Sequence, residues 1–115
     1  MIVGQYTDRF NKLTGQSLPC GDIVQSPGLA VHIKNHHPDK LHRINDIPAV
    51  ISDPDYIGHN PKEPDSVEMV KRMGENVMVC IKLDRKDNYL FVATVFEITE
   101  GKLQNRLKSG RIKSC

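Results

Sequence analysis

This chain has little aromatic character: Phe, Trp and Tyr together make up 5% of it, and Trp is absent. A surface that stacks many nucleobases in succession is therefore not its main mode of action. The three cysteines, Cys20, Cys80 and Cys115, are odd in number and show no CxxC spacing. They read as reduced thiols in a cytoplasmic protein, not as a disulfide framework or a zinc ribbon. No apolar run approaches the roughly 20 residues that span a bilayer. The opening "MIVGQYTDRFNK" lacks a basic stretch followed by an apolar one, so no secretory signal is read there. Internal repeats and low-complexity segments are also missing.

What remains suits one modest globular domain: 115 residues, 38% hydrophobic and 26% charged. Net charge is only +2, but it is unevenly spread. Lys102, Arg106, Lys108, Arg111 and Lys113 follow one another with no acid between them, whereas residues 39–68 hold half of the acids. The basic end would attract a phosphate backbone. A solvated helix face with cations near its C-terminus would give the same pattern.

Periodicity divides the chain in two. "MIVGQYTDRF" and "GDIVQ" read as short strands separated by the Gly- and Pro-punctuated "TGQSLPCG". Ser26 and Pro27 then open a helix that Pro38 stops or kinks. Leu41, Ile44, Ile47, Val50 and Ile51 continue at helical spacing, with Pro48 interrupting and Asp46 placed to cap a short turn. "SDPDYIGHNPKEPDS" is an ordered loop with a short extended piece at Tyr56 and Ile57. From Ser66 the period is two: "SVEMVKR", "NVMVCIKLD" and "YLFVATVFEI" are strands joined by hairpin turns at "GEN" and "RKDN". A last helix starts at Thr99, carries Leu103 and Leu107 inward, and ends at Gly110. Helices, an antiparallel meander and a final helix make an α+β domain.

Three of the five histidines crowd into "SPGLAVHIKNHHP". His32 and His36 share a face at i and i+4, and His37 is rotated onward by about 100°. Such a pair can bind zinc if Asp39 or His42 completes the set, but the sequence lacks the Glu of an HExxH site. Imidazoles also carry protons near neutral pH. Beside cations they supply what RNA cleavage needs without metal: a base, an acid and stabilisation of a charged phosphorane. His32 and His37 are the proton-transfer candidates; His42 and His59 read as ordinary side chains. Lys82 is the one cation in an apolar strand and must snorkel or face a polar cleft. Thr94 shares its face or not according to the hairpin register, which sequence cannot fix. On the last helix Lys102, Arg106 and Ser109 form one stripe, where Arg106 and Ser109 could hold a phosphate.

The order "SPGLAVHIKNHHP", "IPAVISDPDYIGHNPKEPDSVEMVK", "VMVCIKLD", "YLFVATVFEI" and "KLQNRLKSGRIK" resembles the phage-associated barnase–EndoU–colicin–RelE-like nuclease domains. It spans about residues 22–113, so residues 1–115 are read as one domain. The resemblance implies N-terminal helices packed on a four-stranded antiparallel sheet, with a C-terminal helix and an active cleft on the sheet's open face. It implies metal-independent endoribonuclease activity on tRNA or other cellular RNA, with no cofactor. His32, His37, Lys82 and Thr94 match the catalytic positions. Arg106 and Ser109 match phosphate-binding ones, and Lys102, Lys108 and Arg111 add RNA-binding charge. RNA is the expected substrate, with a cognate inhibitor or a phage head protein as further partners and no membrane. The alternative is a non-catalytic module that binds RNA or a phage protein through the same fold. His36 departs from the family pattern, in which a basic residue, commonly Arg, precedes the second histidine.

Overall fold

A computed structural model describes residues 1–36 and 38–115. The chain runs β1 (Ile2–Tyr6), α1 (Asp8–Thr14), β2 (Gly21–Val24), α2 (Gly28–His36), a 3₁₀ segment (Pro38–Asp46), α3 (Ile47–Ser52) and β3 (Tyr56–Gly58). It continues with β4 (Ser66–Met73), β5 (Glu75–Asp84), β6 (Tyr89–Ile98), α4 (Glu100–Ser109) and β7 (Ile112–Ser114). The architecture is α+β, but the sheet is not the four-stranded antiparallel one that the resemblance implies. Among the described residues it has seven strands in the order β1-β2-β6-β5-β4-β3-β7 and is mixed, because β2 runs parallel to β6. The meander β4-β5-β6 is its centre. Four short strands widen it, β2 and β1 on one side and β3 and β7 on the other.

Two local corrections follow from turn chemistry. The opening apolar stretch is not one strand: pairing stops at Tyr6, and Asp8–Thr14 turn into α1, closed by Gly15 in the left-handed conformation. Asp46 precedes α3, but its side chain makes no capping bond. Its carboxylate instead accepts from Arg43 Nη1 at 3.0 Å.

The sheet buries its two faces unequally. One face presents Ile23, Val67, Met69, Val79 and Ile81 to Leu29 and Ile33 of α2 and to Ile47, Val50 and Ile51 of α3, forming the main core. On the other face α4 covers only one end. Leu103 packs there with Val70, Met78, Ile98 and Ile112, and Leu107 lies against them. Thr99 Oγ1 accepts from the Lys102 N–H at 3.2 Å, and Gly110 ends the helix at φ 80°.

Two details place side chains that matter below. The β5–β6 register shifts between Cys80, opposite Thr94, and Ile81, opposite Val92, so Ala93 is an extra residue in β6. Val92 and Val95, three apart, both enter the main core for that reason. At the sheet's far side β3 pairs with β7, and a Cβ on Gly58 would lie 1.8 Å from the Arg111 carbonyl oxygen. Only glycine permits that approach.

Candidate active cleft

The end of the sheet that α4 leaves uncovered is polar. Ser66 and Glu68 from β4, Cys80 and Lys82 from β5, and Thr94 from β6 lie on it in two cross-strand rows. Ser66 stands opposite Lys82, while Glu68, Cys80 and Thr94 run in line. His32 from α2 and Asn60 and Glu63 from the β3–β4 loop wall this floor into a cleft of about 320 Å³. The exposed His32 ring lies 4.7 Å, centroid to centroid, from that of His36, as the i, i+4 spacing requires.

Ion pairing orders the cations around the cleft. Lys82 Nζ lies 2.8 Å from Glu63 Oε2, with both side chains about 40% exposed at the mouth. Glu68, whose side chain is only 6% exposed, accepts from two arginines on separate elements. Arg111 Nε and Nη2, just before β7, donate to its two oxygens at 2.8 Å each, and Arg106 Nη1 of α4 donates at 3.2 Å. Hydrogen bonding to this carboxylate pushes the Arg111 guanidinium up from its ordinary value. A buried carboxylate needs such partners, and a two-point grip holds a planar guanidinium in one orientation. Burial, with the Glu68 charge adding to it, pushes the Cys80 thiol up to about 12. It is therefore a protonated thiol at neutral pH and an unsuitable nucleophile.

The sequence candidates are placed as follows. His32, Lys82 and Thr94 line the cleft together. Arg106 and Arg111 reach it through Glu68. Ser109 lines an adjoining cleft instead; its hydroxyl donates to the Arg106 carbonyl at 3.1 Å and accepts from the Arg111 N–H at 3.3 Å, closing the end of α4. Lys102 and Lys108 are exposed on α4 and line neither cleft. His37 lies outside the described residues. Among the described residues no three His, Cys, Asp or Glu side chains gather into a group able to hold a metal ion, including His32, His36 and Asp39.

Sequence reasoning missed Glu68, Glu63, Asn60 and Ser66. Glu68 did leave a signal: it is the lone acid in "SVEMV", the same argument that singled out Lys82 in its strand. Among the described residues no helix is long and apolar enough to cross a membrane.

The family model described as "phage-Barnase-EndoU-ColicinE5/D-RelE like nuclease3" matches residues 1–105, which include the His32, Lys82 and Thr94 positions and stop short of Arg106. No curated protein and no solved structure matches the chain. The chain belongs to this nuclease-like family.

Proposed function

With that membership as premise, we propose that the protein is an endoribonuclease that cleaves by transesterification without a metal ion, using His32 for proton transfer. In this reading the scissile phosphate sits over Lys82 and Thr94. A base removes the 2′-hydroxyl proton of the preceding ribose, and that oxygen attacks phosphorus. The 5′-oxygen leaves with a proton, and a 2′,3′-cyclic phosphate remains on the upstream fragment. Lys82, Arg106 and Arg111 offset the charge that builds on the phosphorane. Thr94 offers a hydroxyl to a phosphate oxygen. His37 is the second proton-transfer candidate on the sequence argument alone.

One observation carries this reading: an exposed imidazole from α2 lines the same cleft as Lys82, Thr94 and the carboxylate that holds two arginines. Groups far apart in the chain meet over one polar patch of sheet, where an anion and a proton donor or acceptor can act together.

The test is incubation with a mixed tRNA pool in EDTA at several pH values, with end-group analysis of the products. Cyclic phosphate ends are expected, and His32→Ala is expected to cut the rate by at least about 10²-fold. Its fold should be retained, because His32 is exposed. RNA left intact by the unaltered protein overturns the proposal. RNA binding that survives His32→Ala without any cleavage by either form favours the binding-module alternative.

A further inference from the structure

The second cleft, next to the one described, is built differently. It encloses about 590 Å³ between the β3–β4 loop and the α4–β7 turn. Lys62, Arg111 and Lys113 line it with His59, Asn60 and Ser109, and among the described residues no carboxylate does. The first cleft sets Glu63 and Glu68 among its cations. Lys62 and Lys113 take part in none of the ion pairs among the described residues. The wall also holds an unsatisfied polar atom: His59 Nδ1 is buried and has no hydrogen-bond partner among the described residues. Two residues join the clefts. Asn60 lines both, and Arg111 lines the second while its guanidinium grips Glu68, which lines the first.

We infer that the second cleft is an anion subsite for the next phosphate along a single RNA strand whose neighbouring phosphate lies in the first cleft. The inference rests on the nuclease reading for the identity of the strand. Lys62 and Lys113, outside every ion pair among the described residues, give the cleft positive charge beyond the Arg111 that Glu68 already holds, and that favours an anion. Its continuity with the first cleft through Asn60 and Arg111 favours a ligand that carries anions in series rather than a free phosphate. Gly110, which also lines it, leaves open space where a side chain would otherwise stand. The substrate is then a strand of several nucleotides, and a dinucleotide with a single phosphate leaves the second cleft idle.

Uncleavable 2′-O-methyl RNA separates binding from catalysis. Affinities of a dinucleotide and a hexanucleotide are measured against salt for the unaltered protein and for Lys62→Ala/Lys113→Ala. The hexanucleotide should bind about tenfold more weakly to the variant at low salt, with the slope of log affinity on log salt reduced by about 0.7 for each phosphate that is no longer neutralised. The dinucleotide should bind equally to both forms. Lys12→Ala/Lys86→Ala removes the same charge from exposed positions outside both clefts and should change neither. Equal losses for both lengths, or no loss for the hexanucleotide, overturn the subsite. Cleavage of tRNA is scored separately. A tRNA pool that is cut while the length effect is missing sinks the subsite and leaves the nuclease reading standing. A length effect with intact tRNA supports the subsite and sinks the catalytic reading.

Discussion

Replacing Glu68 with Gln should move stability and anion binding in opposite directions. The side chain is 6% exposed and accepts three guanidinium hydrogen bonds, at 2.8, 2.8 and 3.2 Å. Gln keeps the shape but loses the charge, and its amide nitrogen must face one of two arginines. Hydrogen bonds to charged groups are worth roughly 1.5–3 kcal/mol each, and breaking a buried pair costs roughly 3–5 kcal/mol. Arg106 and Arg111 stay about a quarter exposed and can recover water, so the lower end applies. At about 3 kcal/mol, and about 4 °C per kcal/mol for a domain of this size, Tm falls by about 12 °C. Anion binding gains instead. A carboxylate about 6–10 Å from a bound phosphate repels it by about 1–3 kcal/mol at an effective dielectric constant near 20. Uncleavable RNA should therefore bind Glu68→Gln at least about fivefold more tightly at low salt, measured well below its melting midpoint. Tm is read by circular dichroism and affinity by fluorescence titration. Binding that weakens along with stability would refute the reasoning, because it would make Glu68 a structural prop with no electrostatic say in the cleft.

Acid should unfold the protein through its paired surface carboxylates. Lys40, then Arg43, hold Glu97 below its ordinary value, and Arg85 does the same for Asp65. Arg72, with Gln104 and Asn76, brings Glu100 to about 2. Folded values below unfolded ones mean stabilisation that is complete above the ordinary carboxylate range and lost as pH falls through the folded values. The urea midpoint should drop from about pH 5 toward pH 2, and Glu97→Gln/Glu100→Gln should flatten that drop; an unchanged slope counts against these pairs. The thiols should also differ in reactivity: iodoacetamide at mildly alkaline pH should label the exposed Cys20 first and Cys80 last, read by peptide mass spectrometry.

The parts of this fold governed by local rules were legible in the sequence. α4 lies where Thr99 and Gly110 bound it, and both hairpins of the meander close where Gly74 and the "RKDN" turn stand. Of the short strands that widen the sheet, β1, β2 and β3 fall where extended pieces were read and β7 does not; what stayed hidden is their pairing, above all the parallel β2–β6 contact between distant segments. The site divides in the same way. Lys82 stood out as a charge in an apolar strand, and His32 as half of an i, i+4 pair. Thr94 could not be assigned to a face, because its side is set by the extra residue at Ala93, and a bulge carries no composition of its own. Glu68 was visible as an acid among Val and Met, yet its meaning depends on two arginines that only the folded chain brings to it.

The close pass of Gly58 by Arg111 has a mechanical consequence. Main chain rests on main chain there with no side chain as a cushion, so the start of β7 has almost no play. Strand closure locates the Arg111 backbone and Glu68 holds its guanidinium, both before any substrate arrives. Folding has already met the entropic cost of aiming it, and an incoming anion finds a finished socket.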